Sequence, residues 1–193
     1  GNESFPRFLL QQTDTFTEEC DQIVDSGIDF YASQTMKAPD GRTILISWMA
    51  NWDVCEFRQP KEKWYGMMTL PREMSVRNNR LYQVPVRELE QMRTNPVSHK
   101  EVTVSGKVNL EGVRGRCADL ELTIRPGEDT TAFTIRLAED EKHHVSLVWC
   151  PKEGVLKLDR RFSGSRQGTI HQRECVVGQR DELKIRLILD RFS

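Results

Sequence analysis

The sequence predicts an all-β protein. Over much of the 193 residues, apolar side chains recur at every second position, which is the period of a half-buried strand. Short segments rich in Pro, Gly, Asp and Glu bound these runs and are typical of turns. Helical spacing stands out at one place, between residues 84 and 95. Many short strands with regular turns indicate a β-sandwich or barrel.

The composition is that of an ordinary globular protein. The 28 Lys and Arg residues nearly balance 29 Asp and Glu residues, which gives a formal net charge of -1. We therefore expect no nucleic-acid partner, because such proteins carry a basic excess. Apolar runs stay far below the roughly 18 residues of a membrane span, and residues 1–4 lack the pattern of a signal peptide. We expect neither a membrane segment nor a leader.

Five cysteines are present, an odd number without a CxxC pair. This argues against a disulfide framework and favours a reducing compartment, so we expect a cytoplasmic protein. The adjacent His143 and His144 would point to opposite faces of a strand, which favours a solvated hairpin over a metal site. We expect no metal and no cofactor.

The first half contains a predicted hairpin. Two apolar segments, 29–32 and 43–48, flank Pro39-Asp40-Gly41, which is a turn signal. Aromatic residues crowd this half: Phe30, Tyr31, Trp48, Trp52, Phe57, Trp64 and Tyr65.

A short helix is predicted over residues 86–92. Val86, Leu89 and Met92 recur at every third position, and a proline precedes them. Asn95-Pro96 ends the pattern, which places a domain boundary near residue 95.

The second half contains four clear alternating segments. They cover residues 120–124, 133–137, 145–149 and 183–189. Turn sequences follow the first three, at residues 126–129, 138–141 and 151–154.

Six segments carry a resemblance to a known family. The first, residues 25–35, is D-S-G-I-D-F-Y-A-S-Q-T and is similar to the pattern D-x-G-x-D-F-Y-A-x-Q. The others, in the family's order, are 46–52 (I-S-W-M-A-N-W), 64–74 (W-Y-G-M-M-T-L-P-R-E-M), 83–89 (Q-V-P-V-R-E-L), 158–164 (L-D-R-R-F-S-G) and 189–193 (L-D-R-F-S). On these motifs the chain resembles glycoside hydrolase family 32, which holds the β-fructofuranosidases, among them the sucrose-6-phosphate hydrolases.

The resemblance implies a fold with two parts. The family has a five-bladed β-propeller followed by a β-sandwich. Residues 1–83 would be the last part of the propeller, 84–95 a linker helix, and 96–193 a truncated β-sandwich. The chain would then be a fragment shortened at both ends.

The resemblance also implies which catalytic groups to seek. Retaining glycosidases need two carboxyl groups, a nucleophile and an acid/base. The family carries them in W-M-N-D-P-N-G and E-C segments, with a stabilising Asp in R-D-P. This sequence contains neither W-M-N-D-P nor R-D-P, and its two E-C pairs, at Glu19 and Glu174, lie in the wrong context. We assign no catalytic residue, and whether the chain is an enzyme by itself stays open.

Asp29 and Trp48 are the predicted substrate-binding residues. The family's acidic residue at the position of Asp29 faces the sugar pocket, and an Asp within an apolar segment is costly to bury without a partner. The alternative for Asp29 is a strand-end role, capping a turn or pairing with Arg72. Trp48 offers an aromatic face for the C–H side of a sugar ring, and the alternative is a packing role within the blade.

Other candidates favour structural roles. Trp52 and Trp64 are expected to pack, and the planar guanidinium of Arg72 suits a buried carboxylate, with Asp29 or Glu73 as its partner. A basic loop formed by Arg58, Lys61 and Lys63 would suit a phosphate, but a solvated turn explains it as well.

The leading hypothesis is the C-terminal part of a retaining β-fructofuranosidase that acts on sucrose, sucrose 6-phosphate or a fructan. The alternative is a non-catalytic carbohydrate-binding or oligomerisation β-sandwich module. Uncovered propeller and sandwich edges would also favour association of two copies.

Overall fold

The computed structural model describes residues 21–49, 66–164 and 170–190. Within them the protein forms eleven β-strands and one short 3₁₀ helix, Arg87–Met92, which confirms the predicted all-β class. The strands are β1 Tyr31–Lys37, β2 Thr43–Met49, β3 Met67–Met68, β4 Arg72–Arg77, β5 Arg80–Pro85, β6 Ala118–Ile124, β7 Phe133–Leu137, β8 Val145–Cys150, β9 Val155–Asp159, β10 Gln172–Val176 and β11 Leu183–Leu189. No helix in the described part of the chain is long and apolar enough to cross a membrane.

The first sheet is antiparallel, with the order β1-β2-β4-β5 and β3 paired to β2. The predicted hairpin is β1–β2, in which Lys37 faces Thr43 and Gly41 turns the chain at φ +86°. Glycine adopts this left-handed conformation without the steric cost that a Cβ brings. Strand β1 begins at Tyr31, so the predicted start at residue 29 is wrong, and Asp29 lies just before the strand.

The core of this sheet is small. Its buried members are Val24, Leu45 and Leu81, against which Phe30 and Met74 pack. The Gln22 side-chain amide holds the segment before β1 against β5, donating to Leu81 O at 2.7 Å and accepting from Leu81 N at 3.0 Å.

The helix after this sheet has the period that its sequence shows. Val86, Leu89 and Met92 are three residues apart, which is one turn of a 3₁₀ helix rather than of an α-helix. None of its residues is buried, and Met92 is 74% exposed. Val84 and Pro85, placed in the predicted linker, belong to β5, where Pro85 faces Arg72. Proline is tolerated there because β5 lies at the edge of the described sheet.

Two further sheets follow a long irregular segment. Residues 94–117 contain no helix or strand, and all of them are exposed. One sheet has the order β10-β9-β8-β7, and β6 pairs with β11 in the other, so all four strands predicted in the second half are present. Trp149, 1% exposed, packs with Ile124 of β6 and Leu183 of β11, so the core lies between the two sheets.

The first sheet also carries exposed apolar side chains. Tyr82 and Val84 of β5 are 47% and 57% exposed. They alternate with buried Leu81, so they lie on the face away from the core. Met36 of β1 and Val76 of β4 are exposed as well. This sheet therefore presents several apolar side chains to solvent.

Candidate functional site

Asp29 lies at the junction of the first sheet with the later sheets. Its side chain is 27% exposed, and its Oδ1 atom is buried from solvent. Its Oδ2 atom lies 3.7 Å from Nη1 of Arg160, which follows β9. Asp29, the acidic residue predicted to bind sugar, therefore faces the guanidinium of a residue from the second half of the chain.

Arg160 is held in place by backbone carbonyl groups. Its Nε and Nη2 atoms both donate to Ile170 O, at 3.3 and 3.1 Å. Its backbone N–H donates to His171 O at 2.9 Å. These contacts fix the plane of the guanidinium and leave Nη1 directed at Asp29.

Trp48 lies in β2 directly opposite Tyr31 of β1. The two rings meet edge to face, with centroids 6.2 Å apart and an interplanar angle of 68°. This arrangement is favourable for aromatic pairs. Since Asp29 precedes Tyr31 by two residues, the β1–β2 register places both predicted sugar-binding residues at the same end of the hairpin.

An irregularity in β1 adjoins this pair. The β1–β2 register shifts between Tyr31 and Gln34, and Ala32 has a φ of +51°. Such bulges turn side chains away from the regular alternation and are frequent beside functional sites. Here the bulge directly follows Tyr31, the partner of Trp48.

A glycine lies against the Trp48 indole, and the neighbouring Ser47 links β2 to Tyr31. A Cβ at Gly66, whose φ is +79°, would collide with Trp48 Nε1. Ser47, fully buried, donates from its hydroxyl to Tyr31 O at 2.7 Å, and its backbone N–H donates to Thr69 Oγ1 at 3.1 Å. The indole is thus confined on one side by a residue that has no side chain.

The predicted partners of Arg72 are wrong. Arg72 Nη2 pairs with Asp25 Oδ2 at 2.7 Å, and Nη1 donates to Gln83 Oε1 at 3.1 Å. The guanidinium also lies over the Phe30 ring, 5.2 Å from its centroid. Asp25, four residues before Asp29, takes the arginine, and this leaves Asp29 to face Arg160.

Glu73, the other predicted partner of Arg72, joins the hairpin to the helix. Arg87 Nη2 lies 2.7 Å from its Oε2 atom, and Arg42 Nη1 lies 2.7 Å from its Oε1 atom. These bonds hold the pKa of Glu73 well below its usual range, and those from Arg87 have the largest effect. Arg42 also pairs with Glu88 of the helix. This network has a structural role.

The described residues contain no group of three or more His, Cys, Asp and Glu side chains placed to hold a metal ion. His143 and His144 lie before β8 in the β7–β8 connection, not within a strand. His143 Nδ1 lies 3.2 Å from Asp140, and the His144 ring stacks on Phe162. Glu174 is an exposed residue of β10, opposite Lys157 of β9. Cys117, Cys150 and Cys175 are free thiols.

Several candidates lie outside the described residues. They are Glu19, Cys20, Trp52, Phe57, Arg58, Lys61, Lys63, Trp64 and Tyr65.

Sequence reasoning missed Arg160. Its segment, 158–164, was recognised only as a strand of the second half. The available signal was a pair of consecutive arginines after an aspartate. The structure separates them: Arg161 folds back on Asp159, with Nη2 and Oδ2 2.7 Å apart, whereas Arg160 faces Asp29.

Two family models together match nearly the whole chain. The one described as the glycosyl hydrolases family 32 N-terminal domain matches residues 7–85. The one described as the glycosyl hydrolases family 32 C terminal matches residues 88–193.

Individual relatives agree with this match. A sucrose-6-phosphate hydrolase of Zymomonas mobilis is 32% identical over 188 residues, which cover 94% of this chain and 36% of the relative. A raffinose invertase of Escherichia coli is 34% identical over 171 residues, which cover 88% of this chain and 34% of the relative. The chain therefore spans about a third of the length of these curated relatives.

A solved structure shows the same fold. The sucrose-6-phosphate hydrolase from Lactobacillus gasseri superposes with a TM-score of 0.73 at 24% identity, covering 91% of this chain and 36% of that chain. The first sheet is accordingly part of a β-propeller, and the two later sheets form a β-sandwich.

Proposed function

Because the chain belongs to glycoside hydrolase family 32, we propose that it is the C-terminal part of a retaining β-fructofuranosidase and that its propeller portion forms one wall of the fructoside site. The observation that carries the proposal is the β1–β2 register, which brings Asp29 and Trp48 to the same end of one hairpin. A carboxylate at the same end of a hairpin as a partly exposed indole suits a sugar, because a sugar presents hydroxyl groups and an apolar C–H face.

Each residue has a distinct role in this proposal. Asp29 accepts hydrogen bonds from fructose hydroxyl groups through Oδ2, since Oδ1 is buried. Trp48 packs against the sugar ring, and Tyr31, edge to face with it, limits its rotation. Gly66 leaves the space that the indole occupies.

The reaction of the parent enzyme requires groups that this sequence does not contain. In retaining hydrolysis one carboxylate attacks the anomeric carbon of fructose while an acid protonates the leaving oxygen. Water then cleaves the fructosyl-enzyme with the acid acting as base. Asp29 is one carboxylate and is ion-paired, so it cannot serve in both roles. We propose that this chain by itself binds fructosides without hydrolysing them.

The substrate class is a fructose-containing saccharide. Relatives named sucrose-6-phosphate hydrolase and raffinose invertase support this class. Free cysteines at positions 117, 150 and 175 support a cytoplasmic location, since reducing compartments keep thiols unpaired. Exposed Tyr82 and Val84 support association of two copies through the first sheet.

A fructose-release assay tests the catalytic part of the proposal. The purified chain is incubated with sucrose and with sucrose 6-phosphate, beside an Asp29→Ala variant. We expect no fructose from either protein. Release by the wild-type chain that Asp29→Ala abolishes would show that Asp29 is catalytic and would overturn the assignment. Release that Asp29→Ala leaves unchanged would overturn the claim that the chain alone is inactive.

A further inference from the structure

We propose that Arg160, contributed by the β-sandwich, is a second polar residue of the fructoside site, and that Arg160 Nη1 and Asp29 Oδ2 together bind one sugar hydroxyl group. This inference rests on the proposed function, because it assumes that Asp29 contacts the sugar. It adds a residue from the sandwich to a site whose other members lie on the propeller sheet.

The spacing of the two groups suits a hydroxyl between them. Their 3.7 Å separation exceeds the 2.7–3.2 Å of a direct N–H···O hydrogen bond. A hydroxyl oxygen placed about 2.8 Å from each atom would form a triangle with Arg160 Nη1 and Asp29 Oδ2, at hydrogen-bond distance from both. Since a hydroxyl donates one hydrogen bond and accepts others, it donates to the carboxylate and accepts from the guanidinium.

Solvent access agrees with this geometry. The side chains of Arg160 and Asp29 are 25% and 27% exposed, so part of each remains open to solvent. Because Asp29 Oδ1 is buried, Oδ2 is the oxygen that a ligand meets, and it is the one beside Arg160. A sugar that binds Asp29 therefore approaches Arg160 as well.

Arg160 is also prepared for binding before the sugar arrives. Its Nε and Nη2 atoms are held by Ile170 O, so the guanidinium plane is set independently of Asp29. A side chain already fixed in position loses little conformational entropy when it binds a ligand.

Arg161 provides a matched control. It is the next residue, has the same chemistry, and pairs with Asp159 inside the sandwich at 2.7 Å. Its side chain is 55% exposed and is bound by Asp159 instead of Asp29.

The test is a calorimetric titration of the whole chain with D-fructose. We expect Arg160→Gln to weaken fructose binding about tenfold, as for the loss of one charged hydrogen bond. Arg161→Gln is expected to retain the wild-type affinity. In the double variant Asp29→Asn with Arg160→Gln, we expect the fold-loss of fructose affinity to be smaller than the product of the two single fold-losses. The two residues are not independent, because both contact the same hydroxyl.

A second measurement does not depend on how the variants fold. In the wild-type chain, we expect the Arg160 guanidinium ¹⁵N signals to shift on addition of fructose and those of Arg161 to stay in place.

The outcomes separate the two proposals. If Asp29→Asn weakens binding while Arg160→Gln does not and the Arg160 signals stay fixed, the inference is wrong and the proposed site stands. If the wild-type chain binds no fructose, or Asp29→Asn binds as tightly as wild type, the proposed role of Asp29 fails and the inference fails with it.

Discussion

Trp48 faces Tyr31 across the β1–β2 pair, with the two rings edge to face 6.2 Å apart. Neither ring is held by this contact alone. Gly66 lies against the indole nitrogen of Trp48, and Tyr31 adjoins the bulge at Ala32. The positions of the Trp48 and Tyr31 rings therefore depend on two backbone features, the glycine at position 66 and the bulge at Ala32.

Gly66→Ala tests that dependence. A residue with a Cβ at φ +79° is strained, and here the new Cβ also collides with the Trp48 indole. We expect a loss of unfolding free energy larger than the roughly 1–2 kcal/mol of the backbone conformation alone, together with a changed tryptophan fluorescence. Gly41→Ala is the control, since Gly41 has a φ of +86° with open space around it. Equal losses for the two variants in urea unfolding would contradict the role of Gly66.

Trp149→Ala tests the sandwich core. Trp149 is 1% exposed between the two sandwich sheets, and truncating a buried aromatic costs about 3–5 kcal/mol. We expect the denaturation midpoint of the sandwich to fall accordingly. Phe162→Ala, at a position 55% exposed, is expected to change stability little. A small loss for Trp149→Ala would mean that the two sheets do not share this core.

Asp119 predicts a pH dependence of stability. Arg186, 2.8 Å from Asp119, and then Arg93 lower the pKa of Asp119 to about 2 in the folded protein. Because the folded pKa lies below the unfolded value near 3.9, the stabilisation is present above pH 4 and is lost as the pH falls towards 2. We expect Asp119→Asn to cost about 1–2 kcal/mol at pH 7 and well under half of that at pH 2, where about half of the Asp119 carboxyl groups are protonated.

Unfolding of wild type, Asp119→Asn and the exposed control Asp129→Asn at several pH values measures this difference. A cost of Asp119→Asn that stays constant from pH 7 to pH 2 would show that the ion pairs with Arg186 and Arg93 do not stabilise the fold.

Association through the first sheet is a further prediction. Tyr82 and Val84 lie on the exposed face of β5, which is the edge of the described sheet. We expect light scattering to detect dimers or larger species, and Val84→Lys to shift them towards monomers because a charge at the contact disfavours burial. Thr103→Lys, at an exposed position of the irregular segment 94–117, is the control. A monodisperse wild-type monomer would contradict the prediction.

The strands were predictable where their pattern is local. Alternation along residues 183–189 predicts β11, and the same holds for β6, β7 and β8, because a half-buried strand repeats every two residues. The pairing of β11 with β6 was not predicted, because the two strands are about 60 residues apart in the sequence and a local pattern does not indicate which distant strand is the partner. The helix was predicted from a three-residue spacing, which fits an α-helix as well, so its 3₁₀ type was not predicted. The boundaries proposed for the two domains stay a prediction.

The ion pairs show the limit of sequence reasoning at the site. The sequence offered Asp29 and Glu73 as partners of Arg72, and it did not single out Asp25, which lies in the same motif as Asp29. The folded backbone decides, since Asp25 is bound through Arg72 and Gly27 N–H, whereas Asp29 comes to lie against the sandwich. Arg160 was missed for the same reason.

The central claim is that this chain carries a fructoside site built on Asp29 and Trp48. Calorimetric titration with D-fructose of wild type, Asp29→Asn, Trp48→Ala and the control Asp129→Asn tests it most directly. We predict saturable binding by wild type and by Asp129→Asn, and an affinity at least about tenfold weaker in the Asp29 and Trp48 variants. Equal affinity in all four proteins, or no binding by the wild-type chain, would contradict it.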